Sequence, residues 1–113
     1  MARRKRVRKT ASGRGQVRIG GWSIPAGWAY RFVQVYADSG AGWVEDFRDD
    51  SEWTVTLREE DRERLPSLDP GEQTTVQMGR WGEAPAYFLG SRIEADSGAI
   101  VLSFGSRPAP ESG

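Results

Sequence analysis

Carboxylates crowd two neighbouring stretches of the chain, Glu45, Asp46, Asp49, Asp50 and Glu52, then Glu59, Glu60, Asp61 and Glu63. Set close together, such groups can hold a calcium ion, or divide proton transfer between an acid and a base. A calcium loop needs a glycine at its sixth position and a glutamate at its twelfth. Counted from Asp46, those positions hold Ser51 and Leu57, so the pattern fails. Paired carboxylates for sugar hydrolysis need a cleft between them, and the 95 residues that follow Arg18 offer little room for one. The remaining reading is a solvated acidic sheet edge, whose charge also discourages sheet-to-sheet aggregation.

Other chemistry is closed off by composition. The chain has no histidine and no cysteine, which removes the commonest general base, the commonest metal ligand, the thiol nucleophile and any disulfide framework. Ser23, Ser91 and Ser97 therefore have no imidazole to activate them. Gly13-Arg14-Gly15 and Gly20-Gly21 lack the spacing and the Lys-Ser/Thr pair of a phosphate-cradling loop. No enzyme activity, no metal and no redox cofactor are expected.

Charge distribution is the feature with functional force. The net charge is zero, yet residues 1 to 18 contain Arg3, Arg4, Lys5, Arg6, Arg8, Lys9, Arg14 and Arg18 and no acid, while all 16 carboxylates fall later. A run this dense in one sign, with Gly, Ser, Thr and Ala around it, reads as a disordered arm. The expected organisation is a basic N-terminal arm over 1–16, a folded domain over 17–106 and a C-terminal tail over 107–113. On this reading residues 1–15 are removable without unfolding the body. Arginine outnumbers lysine six to two in the arm, and its planar fork grips carboxylates or phosphates bidentately. Two targets follow: an acidic protein surface, or nucleic-acid phosphates.

Five tryptophans are many for 113 residues. Most are expected to fill a small core, because each buries a large area. Trp22 and Trp81, flanked by glycine, are the expected exceptions and candidate exposed contacts. No apolar run approaches the ~20 residues that span a bilayer, and the charged first residues lack the apolar stretch of a secretory signal. A membrane is not an expected partner.

The elements that must carry these groups read as strands. Trp53, Val55 and Leu57 alternate with Thr54, Thr56 and Arg58, as Ile100, Leu102 and Phe104 alternate with their neighbours, a period of two. The segment from Trp28 to Tyr36 is apolar on both faces, as a central strand is. Seven strands are predicted near 17–22, 28–37, 43–48, 53–58, 73–80, 86–94 and 99–105. Thr56-Leu-Arg-Glu59 has capping-box spacing and Pro66 stops the run, giving a turn or two of helix between. The pentapeptide ADSGA occurs twice, at 37–41 and 95–99. Each copy joins two apolar runs, so each predicts a hairpin tip with Gly40 or Gly98 in the left-handed region. Turn convergence and duplication of a hairpin both explain the repeat, the latter through Trp22, Pro25 and Tyr30 beside Trp81, Pro85 and Tyr87.

Leu68-Asp-Pro-Gly-Glu-Gln-Thr-Thr-Val76 resembles the Leu-x-Pro-Gly-Glu-x-x-x-Val stretch of immunoglobulin-like sandwich domains. The resemblance implies a plugging leucine, a Pro-Gly turn and a late strand. The fold class expected is all-β, a single immunoglobulin-like sandwich or a small barrel. A small β-domain with a basic extension is similar in architecture to virion proteins of tailed phages: capsid decoration, minor capsid and head-completion proteins. That resemblance implies capsid or other virion subunits as partners, a homo-oligomer, and location in the virion. The alternatives are a cytoplasmic nucleic-acid-binding module, which the acidic body disfavours, and an adaptor or inhibitor that binds another protein.

Overall fold

The computed structural model describes residues 3–38 and 44–108 of the chain. The period-two segments pair as six antiparallel strands, β1 (Arg3–Ile19), β2 (Trp22–Asp38), β3 (Val44–Leu57), β4 (Gln73–Gln77), β5 (Ala84–Ile93) and β6 (Ile100–Gly105). Hydrogen bonding runs β1-β2-β3-β6-β5-β4 and closes on itself as a barrel. The protein is all-β, apart from a 3-10 helix at Glu59–Arg64. Closure removes the two facing sheets that a sandwich would have. The smaller strand number has a plain cause: the stretches expected separately at 43–48 and 53–58 are one strand, bridged by residues 49–52, which pair with β2 from Gln34 back to Arg31.

Inside the barrel, alternate residues of every strand meet: Val17 and Ile19, Ile24 and Ala26, Val55 and Leu57, Val76, Ala86 and Phe88, then Ile100, Leu102 and Phe104. Phe88 and Phe104 touch with ring centroids 5.4 Å apart. Leu65 and Leu68 cover this cluster from the connection between β3 and β4. Leu68 thus plugs the core as expected, and Pro70-Gly71 makes the turn, with Gly71 at φ 92 and Glu72 N donating to Asp69 O at 2.9 Å. The capping box is not formed. Thr56 stays in β3, and the helix has no side-chain cap.

The second ADSGA copy is the tip of the β5–β6 hairpin. Glu94 N donates to Ala99 O and Gly98 N to Glu94 O, both at 2.9 Å, with Gly98 at φ 72. In the first copy, Ser39, Gly40 and Ala41 lie outside the described residues, although Asp38 pairs with Val44 on either side of them.

The basic segment corrects the expectation of a disordered arm. Residues 3–16 belong to β1 and pair with β2 in a continuous ladder, interrupted by one irregularity between Val7 and Lys9. The predicted boundary near Gln16 falls inside a strand. A charge-dense run can do this because its partner brings the apolar groups: Phe32, Val33, Val35 and Tyr36 lie opposite, Val33 and Val35 being buried, and the aliphatic stems of Arg and Lys can cover them. Nor is Arg107 a loose tail residue. Its Nε donates to Asp50 Oδ1 at 2.7 Å.

Strand lengths differ, and that gives the molecule its shape. β4 meets β1 only at Arg18 and Ile19, and β6 meets β3 only from Glu52 onward. The first part of β1, the second part of β2 and the first part of β3 therefore continue past the closed barrel as a three-stranded ribbon. The principal extents are 51 × 33 × 28 Å.

Candidate interaction surface

One face of the ribbon continues the barrel interior. Alternation along β2 puts Trp28, Tyr30, Phe32, Gln34 and Tyr36 on it. Opposite them on β1 stand Gly13, Ala11, Lys9 and Arg6. From β3 come Trp53, opposite Tyr30, and Ser51, whose Oγ lies 3.1 Å from Tyr30 Oη. Where barrel meets ribbon, the aromatics pack as a group. Trp28 and Trp81 meet edge to face at 5.3 Å and 85°, while Tyr30 lies 5.7 Å from Trp53 and 5.8 Å from Trp81. Further out, the Arg6 guanidinium sits over the Tyr36 ring, 5.6 Å from its centroid, within cation–π range.

The opposite face is ionic. Arg31 donates twice to Glu52, at 3.0 and 3.2 Å. Asp50, whose side chain is only 14% exposed, is held by Arg48 at 3.1 Å and by Arg107 at 2.7 Å. The acidic cluster read from the sequence is thus divided. Asp50 and Glu52 are structural anchors, and Glu59, Glu60 and Asp61 open the 3-10 helix. Among the described residues no group of three or more acidic side chains is placed to hold a metal ion. A groove of ≈ 760 Å³ crosses this face over Thr10, Ala29, Arg31, Glu52, Thr54 and Arg92, its nearest charged pair already joined.

The cations predicted as partner-binding are not gathered into one patch. Lys5, Arg6, Arg8, Lys9, Arg14 and Arg18 are exposed along β1. Arg6 and Lys9 share the aromatic face, whereas Lys5, Arg14 and Arg18 take the other, opposite Val35, Gly27 and Ser23. Arg3 and Arg4 extend the same strand, opposite Ala37 and Tyr36. Trp81 is 43% exposed. Trp22 is half-buried against the core, and its indole Nε1 donates to the Arg64 carbonyl. Sequence reasoning missed that Tyr30, Phe32 and Tyr36 stay half-exposed, because a run apolar on both faces reads as a covered central strand. The signal was present in the charge of the segment that pairs with it.

Among the described residues, no helix is long and apolar enough to cross a membrane. In comparisons with known proteins, no family model, no curated protein and no solved structure matches this chain.

Proposed function

We propose that the protein is a structural subunit of a larger protein assembly, docked to its neighbours through the β1–β2–β3 ribbon and its basic strand. The observation that carries this reading is that Arg3–Gln16 is built into a ladder that extends past the barrel. The ends of these strands that lie beyond the barrel form a paired projection, which costs less ordering entropy on docking than a loose arm would. By its architecture, a small β-domain with a cationic extension, we assign the assembly to the virion of a tailed phage, as a decoration or minor capsid protein whose partners are other virion subunits.

The test is mass spectrometry with immuno-electron microscopy of gradient-purified particles from the source of the chain. A stoichiometric copy number in intact particles supports the reading. Presence in the lysate with absence from particles overturns it.

A second reading rests on a separate observation, the sharing of one face by Arg6 and Lys9 with Tyr30, Phe32 and Tyr36. Cations for phosphates beside rings for bases are what single-stranded nucleic acid requires. Location would then be cytoplasmic. Fluorescence titration with oligonucleotides separates the two readings. Tight binding that weakens log-linearly with salt, for a protein missing from particles, favours this one.

A further inference from the structure

The two long edges of the ribbon carry opposite charge and match in level. On one side, β1 presents six cations and no acid between Arg3 and Lys9. Among the described residues, no strand other than β2 pairs with β1 before Arg18. On the other side, β3 starts with Glu45, Asp46, Asp49 and Asp50 against the single cation Arg48. Among the described residues, no strand pairs with the outer side of Val44–Asp50, and only the Arg107 side chain reaches it, at Asp50. That vacancy ends at Ser51, where Ser106 N donates to Ser51 O at 2.8 Å and Ser106 Oγ accepts from Ser51 N at 2.9 Å.

We propose that the β1 edge of one copy pairs with the β3 edge of the next, head to tail, so that ribbons join into a continuous sheet. The inference deepens the structural-subunit reading by naming a partner, a second copy of this chain, and the surface that meets it.

Direction and register both fit over the free stretches, Arg3–Lys9 and Val44–Asp50, beyond which β6 holds β3 and the neighbour's β1 must turn away. β1 and β3 are each antiparallel to β2, so they run the same way, and side-by-side copies bring them together as a parallel pair. Through β2, Arg3 is level with Glu45 (by way of Ala37) and Arg6 with Asp49 (by way of Gln34). An unshifted neighbour therefore sets Arg3 beside Glu45 and Arg6 beside Asp49 across the junction. Self-pairing of like edges is opposed, because two β1 edges bring cation to cation and two β3 edges acid to acid. A heterologous contact of this kind generates a ring, or an open filament where the rotation does not close. The free stretch of β3 is short, so the contact belongs with small interfaces below ~1,200 Å², and its association is expected to be weak, concentration-dependent and sensitive to salt.

The experiment is sedimentation velocity of the purified full chain at about 0.05 M and about 0.5 M salt, where the screening length falls several-fold short of its low-salt value. The wild type is expected to form species larger than dimers at low salt and to dissociate at high salt. Arg3→Glu with Arg6→Glu, and separately Glu45→Lys with Asp49→Lys, each put like charges at the two matched levels and are expected to lose most of the association. Mixed in equal amounts, the two variants present complementary edges to each other, and large species are expected to return. Circular dichroism checks that both are folded, and Arg6→Gln and Asp49→Asn supply milder versions, each expected to weaken association by about two- to fivefold. A wild type that remains monomeric at every concentration overturns the proposal. So does a species that stops at two copies, assembly of either charge-reversed variant as strong as that of the wild type, or failure of the folded pair to reassemble on mixing. None of these results bears on whether the protein is found in particles, which is measured separately.

Discussion

Gly13 and Trp28 face each other across the β1–β2 ladder so closely that a Cβ added to the glycine would stand 2.8 Å from Trp28 Cζ2. The indole has no room to retreat. A Cβ on Gly79 would lie 2.9 Å from the same carbon, and Trp81 packs against the ring edge to face. Gly13→Ala is therefore expected to destabilise by about 1–3 kcal/mol through overpacking. Ser12→Ala, on the other face of the strand, should stay within about 0.5 kcal/mol. Urea denaturation of the two variants checks this, and equal midpoints would mean that the indole moves aside freely.

Gly98 is constrained twice, by φ 72 and by Glu59, whose Oε2 would lie 2.8 Å from an added Cβ. A carboxylate at the end of a side chain can swing away, but the backbone angle cannot change without undoing the turn. Gly98→Ala is expected to cost about 1 kcal/mol. Nearly all of that cost should remain when Glu59 is also changed to Ala, as a double-mutant cycle on thermal unfolding would report. A penalty that vanishes in the double variant would place the strain in the contact.

Asp50 ties the end of β6 to β3 through Arg107 and fixes Arg48 on its own strand. Hydrogen bonds to a mostly covered charge are among the stronger polar contacts, while the exposure of both arginines lowers their worth. Asp50→Asn is expected to destabilise by about 1–2 kcal/mol. Amide exchange at Ser106, whose N–H is bonded to Ser51 O, should accelerate more than exchange at Val55 in the core. Uniform acceleration at both would instead report global loss of stability.

Removing residues 1–15 takes the β1 partner away from β2 between Ala26 and Ala37 and uncovers Trp28. Several kcal/mol are at stake, and at 4–8 °C per kcal/mol the thermal midpoint should fall by roughly 10–20 °C. Removing only residues 1–6 leaves the pairing from Val7 onward, and the midpoint should change by less than about 5 °C. Equal midpoints for the two truncations would show that Val7–Gly15 adds nothing to the barrel.

What could be read in the sequence was local. Alternation at Trp53–Leu57 and Ile100–Phe104, the Pro70-Gly71 turn and the Gly98 hairpin tip each depend on a few neighbouring residues, and each was legible. The long strands were not, because their evidence lies in the partner. Arg3–Lys9 has the composition of an unfolded segment, and it is β2 that supplies Phe32, Val33 and Val35 opposite. Likewise Asp49-Asp50-Ser51-Glu52 reads as a loop, yet Asp50 and Glu52 have Arg31, Arg48 and Arg107 to meet. Trp81 was recognisable as exposed from its glycine neighbours. Its contact with Trp28 was not, since the two lie on segments joined only by the closing of the barrel.

That closing rests on little. Two residue pairs, Arg18 with Gln77 and Ile19 with Val76, and one further bond from Gly20 N to Thr75 O at 2.9 Å, join β1 to β4. Every other junction in the cylinder is longer. The first breathing motion of the native state should therefore part the barrel along this seam, wetting Val17, Ile19 and Val76 while the β1–β2–β3 meander stays whole. Folding would run the same path in reverse, with the meander and the β5–β6 hairpin forming early and the seam closing last.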